Sequence, residues 1–92
     1  MNHQTSLTVR DCVGLWLAAK RATIRESTWT DYTEKAKQWI IPRLGRTPVV
    51  DLRPEHLLRL YRVLQERGLS SRTLCYVHQV LRQTLEHAVR LR

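Results

Sequence analysis

Residues 70–90 read SSRTLCYVHQVLRQTLEHAVR, and this stretch decides the fold class. Neither Gly nor Pro interrupts it, and one face of the helix that it would form is apolar, with Leu74, Val77, Leu81, Leu85 and Ala88. The opposite face carries Arg72, Tyr76, Gln79, Gln83 and Arg90. Because Ser70 is a typical N-cap, the stretch predicts a long amphipathic helix that begins after Ser70.

The sequence before this helix contains a capping-box pattern near its N-terminal end. Thr8 is followed three residues later by Asp11, and apolar residues then recur at helical spacing. The pattern predicts a first helix over 9–20. The preceding residues, 1–7, show no periodicity, so we expect them to form a flexible N-terminal arm.

Two more helices are predicted between the first and the last. Ser27 or Thr28 is expected to cap the second, and Pro42 and Gly45 are expected to end it. A third is predicted over 54–67, because Pro is favoured at the first helical position and Gly68 suits a left-handed residue after the last turn.

Length and composition limit the architecture to one domain. The chain has 92 residues, of which 42% are hydrophobic, and it has three Trp but only three Gly and three Pro. These values favour a folded chain with long elements and a single core. The sequence therefore predicts an all-α fold, a compact four- to five-helix bundle over residues 8–92.

The charge balance points to a polyanionic partner. Sixteen Lys and Arg oppose eight Asp and Glu, which gives a net charge of +8, and thirteen of the sixteen cations are Arg. A basic excess of this size favours nucleic acid first and an anionic membrane surface second. The guanidinium group also suits bidentate contacts to phosphate or guanine.

The sequence offers no catalytic constellation. It lacks the HExxH, GxxxxGK[ST] and GxSxG motifs, and none of its three tyrosines has an evident base nearby. We therefore expect this chain to bind rather than to catalyse, and to need no cofactor.

Cysteine and histidine usage predicts neither a disulfide nor a metal site. Two cysteines are too few for a disulfide scaffold and suit a reducing compartment. Cys75, His78 and His87 are zinc-ligand types, but no CxxC or HxxxH pair accompanies them, and His78 is expected to pack as a neutral side chain beside the core. No apolar run has membrane-spanning length, so a cytoplasmic protein is expected.

Two helix starts have the composition of anion sites. Arg72 lies in the first turn after Ser70, where the helix dipole disfavours a cation and the backbone N–H groups are free. The segment from Arg25 to Tyr32 likewise combines an Arg, small hydroxyl residues and the free N–H groups of a helix start. An anion from outside the chain would explain both, although ordinary capping and solvent exposure would explain either one alone.

The candidate contacts lie at these two starts and along the faces that follow them. We predict nucleic-acid contacts from ten residues: Ser27, Thr28, Thr30, Asp31, Lys35, Ser71, Arg72, Tyr76, Gln79 and Arg82. Hydroxyl, amide and guanidinium groups of this kind reach phosphates and base edges.

The order of several short motifs resembles a known family. Thr28 and Tyr32 are followed by IPRLG at 41–45, by DLRP at 51–54, and by GLS at 68–70. Together with the apolar positions of the last helix, this series resembles the N-terminal core-binding, SAM-like domain of tyrosine recombinases, the phage-integrase family. Each motif alone is weak, and the resemblance lies in the ordered set.

The resemblance implies one half of a C-shaped clamp around duplex DNA at the core recombination site. The second and last helices would approach adjacent major-groove surfaces. The contacts that the resemblance implies come from Ser27, Thr28, Thr30 and Asp31 on the second helix and from Arg72, Tyr76 and Gln79 on the last. Lys35 is added to these from its place on the second helix alone. The resemblance also implies that other recombinase subunits are partners on DNA and that the free protein is a monomer.

The chain departs from the family pattern in two respects. Arg53 stands where a Thr or Ser cap is usual, and no residue here matches the family's catalytic residues, which lie in a second domain. The resemblance thus implies that the catalytic domain follows residue 92 and that the parent protein is a site-specific recombinase, bacterial or phage-encoded and nucleoid-associated when bound.

Two other functions fit the same sequence. A basic helical domain can dock another protein through its exposed faces. An independent helix-turn-helix regulator is the second alternative, and the link of about a dozen residues between the second and third helices argues against its short turn.

Overall fold

The computed structural model describes residues 7–90, most of which are helical. The helices are α1 (Val9–Lys20), α2 (Glu26–Lys35), α3 (Ile41–Leu44), α4 (Pro54–Glu66) and α5 (Ser71–Arg90). A π-helical segment, Ala36–Ile40, joins α2 to α3, so that 26–44 form one continuous rod. The predicted all-α bundle is confirmed. Of the predicted arm, residues 1–6 lie outside the described part of the chain.

The start of α1 is closed by both side-chain and backbone hydrogen bonds. The predicted capping box is present: Thr8 Oγ1 accepts from the Asp11 N–H, and Asp11 Oδ2 accepts from the Thr8 N–H, each at 3.1 Å. The N–H of Val9 donates to the Thr47 carbonyl, and that of Arg10 donates to the Gly45 carbonyl. This helix start is therefore tied to the loop after α3.

The start of α2 differs from the prediction. Its N-cap is Arg25, which makes no side-chain capping bond, so the prediction that Ser27 or Thr28 caps the helix is wrong. Both residues lie within the first turn instead. Tertiary contact fixes this end, because Trp29 Nε1 donates to the Leu17 carbonyl at 2.7 Å.

Pro42 does not end the rod, contrary to the prediction. The π-helical segment precedes it, and the Ile41 N–H donates to the Ala36 carbonyl five residues back. A wider turn of this kind accommodates a proline ring that would clash with a regular helix. The rod therefore runs on to Leu44 and ends at Gly45, as predicted for that glycine.

The predicted ends of α4 are confirmed. Pro54 is the first helical residue, and Gly68 after the last turn has φ +86°. Arg53 is the N-cap residue of α4, where a Ser or Thr is usual. Its backbone N–H donates to His56 Nδ1 at 2.8 Å. A histidine thus takes the place of the acid in a capping box.

The core lies between α5, α1 and the rod. Val77 and Leu81 of the predicted α5 stripe are buried, but Leu74, Leu85 and Ala88 are only partly buried. The fully buried stripe is therefore displaced around the helix from the predicted one, because it also includes Val80 and Thr84. The displacement has a physical reason: α5 packs mainly against α1, whereas α4 covers its other flank loosely.

Thr84 brings an unsatisfied hydroxyl into this core. Its side chain is fully buried, and its Oγ1 has no hydrogen-bond partner. Valine has the same shape without the desolvated hydroxyl, so we expect Thr84→Val to raise the free energy of unfolding by about 1 kcal/mol in urea titration. Thr33→Val is the matched control, because Thr33 Oγ1 donates to the Trp29 carbonyl and this bond would be lost. Equal effects of the two substitutions would contradict the prediction.

Candidate nucleic-acid interface

The helices α2 and α5 lie side by side and bring Lys35 and Tyr76 together. Lys35 Nζ lies 5.9 Å from the centre of the Tyr76 ring, within cation–π range. Tyr76 also meets Tyr32 edge to face, with ring centres 5.9 Å apart. Tyr32 in turn packs against buried Trp16, with ring centres 5.5 Å apart. A row of aromatic rings thus extends from the core to the candidate surface.

The start of α5 has the predicted form. Ser70 is the N-cap, and its Oγ accepts the Thr73 N–H at 3.2 Å. Ser71 and Arg72 are exposed, and among the described residues neither of their backbone N–H groups has a protein partner. Arg72 therefore belongs to the same first turn as two free backbone donors, an arrangement that suits an anion.

The start of α2 offers a second set of free donors, with a different charge. The first backbone N–H to return to the N-cap is that of Trp29. Among the described residues, those of Ser27 and Thr28 have no protein partner; Ser27 is exposed and Thr28 is half-buried. Thr30 and Asp31 are exposed on the next turn. With Asp31 and Glu26 nearby, this start is less cationic than that of α5.

Gln79 and Arg82 point to a different flank of α5 from Tyr76. They line a groove of about 460 Å³ between α4 and α5, together with Tyr61, Gln65, Leu74, Cys75 and His78. Arg82 Nη1 also forms an ion pair of 3.1 Å with Glu86. Both side chains are about half exposed, and such a pair contributes only about 0.3–0.5 kcal/mol, so a phosphate could replace Glu86 easily.

The groove contains a hydrogen bond that the sequence did not predict. Tyr61 Oη and His78 Nδ1 are 2.9 Å apart, and the two rings meet edge to face. His78 was expected to pack beside the core; it is exposed, and its ring packs against that of Tyr61. Burial raises the pKa of the Tyr61 hydroxyl, which keeps it protonated and able to donate.

Cysteine, histidine and acidic side chains form no metal site in the described part of the chain. Within residues 7–90, no cluster of three His, Cys, Asp or Glu side chains is arranged to hold a metal ion. Cys12 is buried, which raises the pKa of its thiol, whereas Cys75 is exposed. None of the helices described is both long and apolar enough to cross a membrane.

The fold and this surface define a basic, all-α bundle of the SAM-like type. The chain belongs to the phage-integrase family: its residues 8–64 match the family model for the phage integrase N-terminal SAM-like domain. The resemblance predicted from the ordered motifs is thereby confirmed. The match includes the whole of α2 but ends at Leu64, before α5. No curated protein and no solved structure matches the chain.

Proposed function

We propose that this domain binds duplex DNA at the core recombination site, as the N-terminal half of a clamp formed by a tyrosine recombinase. Family membership is the observation that carries the proposal. The net charge of +8 supports it, because phosphate contacts dominate the affinity of DNA-binding proteins.

The arrangement of α2 and α5 supports a shared contact surface. The contact of Lys35 with Tyr76 links the two helices, and free backbone donors lie at the start of each. The N–H and hydroxyl groups of Ser27, Thr28 and Ser71 would position phosphates. Arg72 would contact phosphate or guanine.

Residues further along the two helices would add contacts to base edges and backbone. Thr30 and Asp31 on α2 are exposed and carry acceptors that suit the amino group of cytosine. Gln79 and Arg82 would serve a flanking part of the duplex, since they lie on the α4 side of α5. The amide of Gln79 suits adenine, and Arg82 suits phosphate.

The proposal extends to the parent protein. The chain would position a separate catalytic domain and would itself supply no catalytic residue and no cofactor. It would act in the cytoplasm, as a monomer until DNA assembles several subunits.

The dependence of DNA binding on salt tests the proposal. If about five phosphates are neutralised, log K should fall with log salt at a slope of about −4 to −5. Fluorescence anisotropy of a labelled duplex, over a series of salt concentrations, measures this slope. A flat response would refute phosphate-dominated binding.

One observation favours a second function, contact with another copy of the domain on DNA. An apolar groove of about 280 Å³ runs between α4 and the C-terminal half of α5, and its lining includes Leu57, Leu85 and Val89. Val89 is 63% exposed, and Leu58 on α4 is 67% exposed. Exposed apolar groups of this size suit a protein contact, which is compatible with DNA binding on the other surface.

A further inference from the structure

A second cationic surface lies at the far end of the rod. Arg10 of α1, Arg43 of α3 and Arg46 beyond α3 line one surface hollow of about 350 Å³, which we term the arginine hollow. Arg43 also lines an adjoining hollow of about 240 Å³ with His56 and Arg59 of α4. Four guanidinium groups from separate parts of the chain thus converge on one region.

Within the part of the chain that the structure describes, none of these four arginines forms an ion pair with a carboxylate. Within residues 7–90, the ion pair that forms is Arg82–Glu86, on another surface. Three guanidinium groups around one hollow repel one another, and this repulsion is relieved when an anion enters. The chemistry of the arginine hollow is therefore that of an anion site.

Helix dipoles account for only some of these arginines. Arg43 and Arg46 lie at the C-terminal end of the rod, where cations are favoured. Arg10 lies in the first turn of α1, the end at which a cation is disfavoured, and Arg59 lies within α4. An external anion explains all four positions, whereas the dipoles explain two.

Arg43 is oriented before any ligand arrives. Its Cζ lies 5.8 Å from the centre of the Trp39 ring, and its side chain is half-buried. Stacking of this kind reduces the conformational freedom that a guanidinium loses on binding. The planar fork of donors that it presents matches a phosphodiester.

The arginine hollow is separate from the surface proposed for the core site. Arg43 lies fifteen positions after Thr28 along the rod, and at about 1.5 Å per residue this amounts to roughly 22 Å. The Arg10 N–H donates to the Gly45 carbonyl and holds the start of α1 at this distant end.

We propose that the arginine hollow binds the phosphodiester backbone of a second DNA duplex, so that one domain bridges two duplexes. Nucleic-acid interfaces are strongly cationic, whereas the centres of protein interfaces are depleted of charge, and four arginines that form no ion pair among the described residues fit the former. This inference rests on the proposed function for the first duplex.

A bridging assay with the purified domain tests the inference. One duplex is fixed to beads, the domain is added at limiting amount, and capture of a second, fluorescent duplex is measured. The variant carries Arg10→Gln, Arg43→Gln and Arg46→Gln. Its matched control carries Arg62→Gln, Arg67→Gln and Arg90→Gln, which remove the same charge from exposed positions elsewhere.

We expect the arginine-hollow variant to bind one duplex but to capture the second at least about tenfold less than the control. Capture equal to that of the control would overturn the inference, and it would assign bridging to self-association of the domain. Binding of one duplex without any capture by the unmodified domain would also overturn it, while leaving the proposed function intact.

A second set of variants distinguishes failure of the proposed function from failure of this inference. The Arg72→Gln variant weakens the first surface, and the residual duplex binding that it shows should fall further when the three arginine-hollow substitutions are added. If Arg72→Gln leaves binding unchanged and the arginine-hollow substitutions alone abolish it, the hollow binds DNA but the core-site surface is wrongly placed. If the added substitutions change nothing, the hollow binds no DNA.

Discussion

Replacing Trp16 by alanine is expected to lower the free energy of unfolding by about 4 kcal/mol. The Trp16 side chain is only 2% exposed and packs within the main core cluster. A domain of this length has a total stability of about 5–14 kcal/mol, so the loss is a large fraction of it. Urea denaturation followed by circular dichroism measures the change.

The adjacent residue provides the control for this substitution. Leu15 lies on the same helix but is 45% exposed, so Leu15→Ala should cost less than about 1 kcal/mol. Trp16→Phe should fall between the two, because it keeps an aromatic ring against Tyr32. Similar losses for Trp16→Ala and Leu15→Ala would contradict the buried position of Trp16.

Replacing Arg72 by glutamine is expected to weaken duplex binding by about tenfold and to reduce the magnitude of the salt slope by about 1. Arg72 is exposed in the first turn of α5, where backbone N–H groups are free, so its replacement removes one contact without disturbing the core. Anisotropy titrations at several salt concentrations measure both quantities.

The control is Arg62→Gln, which removes an equal charge from an exposed position on α4. It should change affinity much less than Arg72→Gln. Identical effects would mean that only net charge matters. Loss of self-association with unchanged DNA affinity, on substitution of Arg72 and Tyr76 by alanine, would favour the protein-docking alternative instead.

Local signals in the sequence predicted the helices well. The capping box at Thr8, the proline at the start of α4 and the glycine at position 68 act within one turn, so the structure reproduces them. The prediction that Pro42 ends the helix was wrong, because the preceding π-helical turn makes room for the proline ring. Arg25, rather than the nearby hydroxyl residues, begins α2, and a tryptophan bond to α1 fixes that end.

The candidate surface could be predicted only in part. Periodicity correctly placed Arg72 and Gln79 on the exposed side of α5, but it could not say which neighbouring helix each would face. The pairing of Lys35 with Tyr76 and that of Tyr61 with His78 both join residues from different helices. No signal in the sequence identified either pair.

The sequence by itself determined the helices, the basic charge and the family, because caps, breakers and apolar spacing act over a few residues. Only the tertiary structure decided which side chains meet. It shifted the buried stripe of α5 toward α1, and it brought arginines from α1, α3 and α4 to one end of the rod. Such groupings depend on the angles and distances between packed helices, which are fixed by the whole core rather than by any local stretch.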